Sequence, residues 1–338
     1  MKRLLPELIV ISIITGLVLV LISQYATIPA TERTEQVMGT YATITILDRD
    51  GARAQRALDA AFDEIRRIEA LMSAYNASSE VAALTRNGTN WTALSPDTLY
   101  VLTKADYYAR ISNGSFDVTC NPLVTLWMDT VQTESRLPTP EEVEAAKALV
   151  GYEQLQLDEA HGRARFAQPG MSITLGGIAK GYAVDRACDQ LLAAGIEHAL
   201  VNIGGDMRAI GDKNGAPWAI ALQNPRNKEE YLTILKLEDE AVATSGDYER
   251  YFILKERIHH IINPKTGYSA DECISVTVIA ERCIDADALS TTVFVLGPEA
   301  GKALLDAYGY QGLIISADKE LITSNSFAEP ARAPAVII

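Results

Sequence analysis

The residues best suited to chemistry lie in a few short segments. Thr174 to Asp185, TLGGIAKGYAVD, places glycines at 176, 177 and 181 where an apolar strand gives way to a helix. Without a Cβ, backbone N–H and C=O groups can touch a ligand directly, and the first helical turn offers unpaired donors to an anion such as phosphate. The competing account is a tight turn serving geometry alone, because the spacing fits neither a dinucleotide fingerprint nor a P-loop. In CIDADALSTTVFVLG, from Cys283, Asp287 and Thr291 are four apart and share one helix face. A carboxylate and a hydroxyl there suit a hard cation such as Mg²⁺. Helix capping by Asp285 or Asp287, with Thr291 bonded back to a carbonyl, is the alternative. His259 and His260 precede Ile261, Ile262 and the turn NPKTG; adjacent strand residues face opposite ways, so only one of the pair points into a given pocket. Such a histidine is a core residue, a phosphate ligand or a proton carrier. NIGGD at 202 and TSGDY at 244 are two more strand-end turns with small residues and a carboxylate, and either could be an Asx turn. Tyr75 and Phe116 add flat apolar surfaces for stacking a ring.

Positioning these groups falls to elements that the patterning outlines. MGTYATITILD (38 to 48) alternates like a half-buried strand. Ala57, Ala61, Ile65 and Ile68 recur at helical spacing in a helix from Ala52 to Met72. A helical turn follows around Val81 to Leu84, then a helix from Pro96 to about Ile111, ended by Asn113-Gly114. Thr139, Pro140, Glu141 and Glu142 form a strong helix start. Strand-like runs flank His161-Gly162, and a helix spans about Ile178 to Ala194. Beyond Gly195 the pattern is mostly strand until helices at Asp287 to Leu296 and Pro298 to Tyr308 and a last strand at GLIIS. With no tandem repeat and no low-complexity linker, the expectation is an α+β fold: a single composite body of mixed sheets and packed helices.

The whole chain sets outer limits. Its 338 residues are 48% hydrophobic, a globular composition. Thirty Lys+Arg against 44 Asp+Glu give a formal charge of −14 with no basic run, so no nucleic-acid partner is expected. Lys2 and Arg3 precede a mostly apolar run from Leu4 to Ile22, read as a signal peptide or signal anchor over 1–33. Basic residues before the run and an acidic chain after it place the body at 34–330 outside the cytoplasm. That means the periplasmic side, anchored to the inner membrane or secreted after cleavage, with a C-terminal tail at 331–338. Cysteines 120, 188, 273 and 283 lack zinc-like spacing; buried free thiols are expected, with a Cys273 to Cys283 bridge as the alternative.

Taken in order, MGT at 38, MSAYNASSEV at 72, GSFDVTCNPLVTLW at 114, LGGIAKGYAVD at 175, NIGGD at 202, ATSGDYERYF at 243, HHIINPKTG at 259, and SVTVIA followed by ADALSTTVFVLG resemble the ApbE family, the FAD:protein FMN transferases. The resemblance runs from Met38 to about Gly297. It implies an ApbE-like fold and a Mg²⁺-dependent reaction: FAD's pyrophosphate is cleaved, FMN is esterified through its phosphate to a Thr or Ser of an acceptor protein, and AMP leaves. By motif position it implies Asp287, the Thr291 hydroxyl and the Gly177 carbonyl as Mg²⁺ ligands, with Ser290 adjacent. For FAD it points to Met38, Tyr75, Ser115, Phe116, Asp117, Thr174, Lys180 and Ile261, with Ser245, Gly246 and Asp247 nearby. His260 matches the family histidine and is the candidate for proton transfer, a role that Asp287 could take instead. Thr174 and Asn263 stand where family members commonly carry aspartate. The implied partners are extracytoplasmic redox-complex subunits, such as those of the sodium-pumping NADH:quinone reductase, carrying a D-x-x-[ST]-[GS]-[AS]-[ST] segment. Two other readings of the same site are a Mg²⁺-dependent FAD pyrophosphatase and a non-catalytic FAD carrier.

Overall fold

The computed structural model describes residues 27–248, 251–253 and 257–327. The apolar run expected to be a signal or anchor and the tail at 331–338 lie outside the described residues. Among the described residues no helix is long and apolar enough to cross a membrane.

Strand β1 (Ala30–Val37) starts ahead of the body boundary expected at 34 and pairs with β2 (Thr40–Leu47). Their two-residue turn, Met38-Gly39, has φ of 51° and 70°, as a type I′ hairpin requires. Asp50 caps α1 (Gly51–Met72) by accepting from the Ala52 and Arg53 N–H groups. Next come α2 (Glu80–Asn87), β3 (Thr92–Ala93), α3 (Pro96–Ile111) and α4 (Asn121–Met128). The expected start at Thr139 is a full capping box with Glu142, opening α5 (Pro140–Lys147). Hairpin β4 (Leu155–Asp158) and β5 (Arg163–Phe166) precedes α6 (Ala179–Ala193). The strand-rich half holds β6 (Ala199–Ile203), β7 (Asp206–Ile210), β8 (Trp218–Asn224), β9 (Asn227–Leu237), β10 (Ala241–Gly246), β11 (Tyr251–Ile253), β12 (Arg257–His259) and β13 (Cys273–Ala280). Helices α7 (Cys283–Leu296) and α8 (Pro298–Tyr308) and strands β14 (Gln311–Ser316) and β15 (Leu321–Thr323) complete the described chain.

Eight strands form one antiparallel sheet in the order β1-β2-β6-β7-β10-β13-β14-β15. Alternation along each strand sorts its side chains. Ile44, Ile46, Val201, Ile203, Val276 and Val278 face helices α1, α6 and α7 in the main core. Leu47, Val242, Ile279 and Leu313 face the other way, onto Trp218, Leu222, Leu235 and Leu237 of the β8–β9 ribbon. The sheet is therefore sandwiched between helices and a ribbon, which is why every residue of CISVTVIA in β13 is buried. A bulge between Cys273 and Ser275 re-phases that strand, turning Ile274 to the ribbon side.

Helix α7 starts one turn earlier than its sequence suggested. Its N-cap, Arg282, has no side-chain capping bond. Instead the N–H groups of Cys283 and Ile284 donate to Oδ1 and Oδ2 of Asp185, on α6, both at 3.0 Å. Arg208 at 3.0 Å and Arg282 at 3.3 Å balance the Asp185 charge. Asp285 does not cap the helix: Lys104 at 2.8 Å and Tyr108 at 2.7 Å, both on α3, donate to it. All four cysteines are free, so Cys273 and Cys283 form no bridge.

Candidate functional site

Site geometry begins with the contact between α6 and α7. A Cβ on Gly181 would lie 2.3 Å from the Cys283 carbonyl oxygen and 2.7 Å from the Asp287 Cβ, so only glycine permits this approach. The closeness lets the Gly181 N–H donate to Asp287 Oδ2 at 2.8 Å, and the positive end of α6 favours that buried carboxylate. Part of the donor capacity expected for an anionic ligand is thus given to a protein side chain. Lys180, one residue earlier, bonds Asp206 at the start of β7 and lies 3.9 Å from Asp287 Oδ1. Burial and the neighbouring Asp287 push Asp206 up to about 7, while burial raises Asp287 against the pull of Lys180. Two buried carboxylates this close disfavour full ionisation, and a cation between or beside them removes that conflict.

One turn along α7, Ser290 donates to the Asp287 carbonyl at 3.0 Å, and Ser245 Oγ lies 2.9 Å from Ser290 Oγ and 3.1 Å from Thr291 Oγ1. The end of β10 thereby delivers a third hydroxyl to this helix face. Gly177 packs so tightly here that a Cβ would lie 3.1 Å from Thr291 Oγ1. A carboxylate and hydroxyls beside Gly177 form a hard oxygen set, which fits Mg²⁺ and not a thiolate-seeking metal. Among the described residues no group of three His, Cys, Asp or Glu side chains could hold a metal, so any ion here depends on hydroxyl, carbonyl and ligand oxygens.

Gly177 and Thr291 also line a cleft with Ser115, Phe116, Asp117, Val118, Cys120, Thr174, Ile262, Pro264 and Val295. Its enclosed part measures about 60 Å³, far below the roughly 300–1,000 Å³ of pockets that enclose a drug-sized ligand. Asp117 is committed to structure: its Oδ1 accepts from the Thr119 N–H and hydroxyl at 2.8 and 2.6 Å, and its Oδ2 from the Tyr152 N–H at 2.8 Å. Thr174 is half-buried, and its N–H donates to the Val118 carbonyl.

Other residues singled out in the sequence have partners of their own. Met38, in the β1–β2 turn, donates its N–H to Glu69 Oε1 at 2.9 Å. Tyr75 is 78% exposed, with its hydroxyl 3.6 Å from Met128 Sδ. Asp247 follows Gly246 and receives a two-pronged ion pair from Arg226, at 2.7 Å on each oxygen. His259 is the buried member of the histidine pair, bonded to the Ala270 carbonyl at 2.6 Å and edge-on to Phe294, while His260 is exposed. Ile261 is buried in the main core, and the neighbouring Ile262 lines the cleft.

Two contributors escaped the sequence reading. Asp206 was seen only as a turn carboxylate, and its tie to Lys180 depends on α6 crossing the start of β7. Lys265, from the NPKTG turn, donates its ammonium to Ser115 Oγ at 3.1 Å across 150 residues of sequence. A cation inside a Pro/Gly turn was the available signal.

The model of the ApbE family matches residues 38–314. An FAD:protein FMN transferase of Vibrio cholerae is 35% identical over 279 residues, covering 80% of this chain and 82% of the relative. The crystal structure of the ApbE protein from Thermotoga maritima superposes with a TM-score of 0.82 at 35% identity, over 88% of this chain and 98% of that one. The flavin transferase ApbE of Vibrio cholerae gives a TM-score of 0.79 at 32% identity, over 88% and 99%.

Proposed function

The chain belongs to the ApbE family, and on that premise we propose how its cleft performs the family's reaction, the transfer of FMN from FAD to protein. The carrying observation is the cluster of oxygen donors where α6, α7 and β10 meet: Asp287, Thr291 and Ser290 beside Gly177 and Ser245. In this reading Asp287, the Thr291 hydroxyl and the Gly177 carbonyl hold Mg²⁺, with Ser290 bracing them. The bound ion would supply charge stabilisation to the phosphoryl oxygens, the main demand of phosphoryl transfer.

The protein's own groups do the rest. Ser115, Phe116 and Thr174 seat the ligand beside the donor cluster, and exposed Tyr75 offers its ring to a flat ligand surface. A Thr or Ser hydroxyl of the acceptor attacks the FMN phosphorus, the bond to the AMP phosphate breaks, and AMP leaves. His260, exposed two residues before cleft-lining Ile262, accepts the hydroxyl proton. The acceptor carries a D-x-x-[ST]-[GS]-[AS]-[ST] segment. The body works on the periplasmic side of the inner membrane, a reading supported by Lys2 and Arg3 ahead of the apolar run Leu4 to Ile22.

Incubation of the protein with FAD, Mg²⁺ and a peptide bearing that segment, read by mass spectrometry, tests this. The expected result is FMN-bearing peptide with equimolar AMP, lowered about 10²–10³-fold by Asp287→Ala. AMP with free FMN would make the protein a pyrophosphatase, and intact FAD would make it a carrier.

A further inference from the structure

Beyond the Mg²⁺ that the donor cluster would hold, the cleft lining offers no positive side chain. Its lining includes one charged residue, Asp117, and the nearby Lys180 is already bonded to Asp206. The chain as a whole carries a formal charge of −14. A diphosphate ester entering such a field requires a local cation. Among the described lysines, Lys104, Lys147, Lys180 and Lys302 each pair with a carboxylate, whereas Lys265 gives its ammonium to the neutral hydroxyl of Ser115. Ser115 is 4% exposed and lines the cleft, so this ammonium sits at the cleft wall while the rest of the lysine is exposed.

The turn that presents it is rigid. Asn263 Oδ1 accepts the Lys265 N–H at 2.9 Å, and the Asn263 N–H donates to the Tyr268 carbonyl at 2.8 Å. Trp127 Nε1 donates to the Gly267 carbonyl at 2.7 Å. Gly267 has φ 82°, and a Cβ there would come 2.5 Å from Val143, so the turn is pressed onto α4 and α5. A positioned, uncompensated ammonium loses little freedom when it meets an anion.

We propose that Lys265 is a substrate-binding residue whose ammonium pairs with a phosphate oxygen of the FAD pyrophosphate, with Ser115 holding it in place beforehand. This rests on the flavin-transferase reading of the cleft. Equilibrium titration of the full chain with FAD and with riboflavin, which lacks phosphate, tests it without acceptor or turnover. Lys265→Met is expected to weaken FAD binding about tenfold, leave riboflavin binding unchanged and flatten the salt dependence for FAD. Lys265→Arg should retain FAD binding. Equal losses for FAD and riboflavin would reduce Lys265 to a structural part of the turn, and undiminished FAD binding by Lys265→Met would overturn the proposal. A wild-type protein that shows the Lys265-dependent preference yet forms no FMN-peptide would overturn the transferase reading instead.

Discussion

At the α6–α7 crossing, a Cβ added to Gly181 would stand 2.3 Å from the Cys283 oxygen; at the rim of the neighbouring cleft, Lys265 is exposed and reaches Ser115 from its turn. The crossing fixes charge by packing. Asp287 takes its N–H from Gly181, Asp185 caps the next helix, and Glu64, Arg67, Asp97, Arg186 and Tyr182 brace α6 against α1 and α3. The rim works through Asx and proline turns that hold their backbone still while side chains reach outward. On the proposed function, the groups assigned to transition-state charge sit where packing is tightest, and those assigned to recognising the ligand sit where it can arrive.

That contrast makes ordered predictions. The largest effect belongs to Asp185→Ala, which orphans two helix N–H groups and leaves Arg208 and Arg282 without their buried partner. The expected loss is about 3–5 kcal/mol in chemical denaturation, with transfer activity lost alongside. Gly181→Ala should cost on the order of 3 kcal/mol, because its new methyl meets backbone and not a flexible side chain. If either variant kept wild-type stability, the packed half would not be the rigid frame described. Glu64→Gln probes the brace more gently. The Arg67 bond holds the Glu64 carboxyl below its usual 4.5, so its share of stability is present above about 4.5 and is lost as pH falls through the lowered value. The variant should lose about 1 kcal/mol at neutral pH and show less further loss on acidification, measured by thermal melts across pH. Tyr75→Ala should be smallest: unchanged melting temperature and FAD binding weakened by about 1 kcal/mol, as one stacking contact allows.

Sequence alone conveyed one side of this contrast better than the other. Helix α3 spans Pro96 to Ile111 as its opening proline and Asn-Gly terminus indicated, and the helix start at Thr139 formed as spaced, because these signals act within one turn of chain. The strands after Gly195 were legible from alternation and turn residues. β1 was not read as a strand, since its Thr, Glu and Arg pattern is that of an exposed sheet edge and lacks an apolar period. The start of α7 was misplaced because its cap comes from Asp185, 98 residues earlier, and no local pattern encodes that. Asp287, Thr291 and Gly177 were singled out by local spacing, glycine content and the family resemblance; the bonds of Asp206 to Lys180 and Lys265 to Ser115 join distant segments and emerge only on folding.

The remote cap also bears on the order of assembly. A helix whose first N–H groups are satisfied across a loop of ninety-eight residues gains its full stability only after that loop has closed, so the nucleation of α7 is tied to prior docking of α6. Gly181 supplies the N–H for Asp287 from the same docked helix, so the anchored carboxylate and the cap arrive in a single event. Neither half-chain contains a reduced version of this crossing, and chain that has not finished folding lacks the anchored carboxylate.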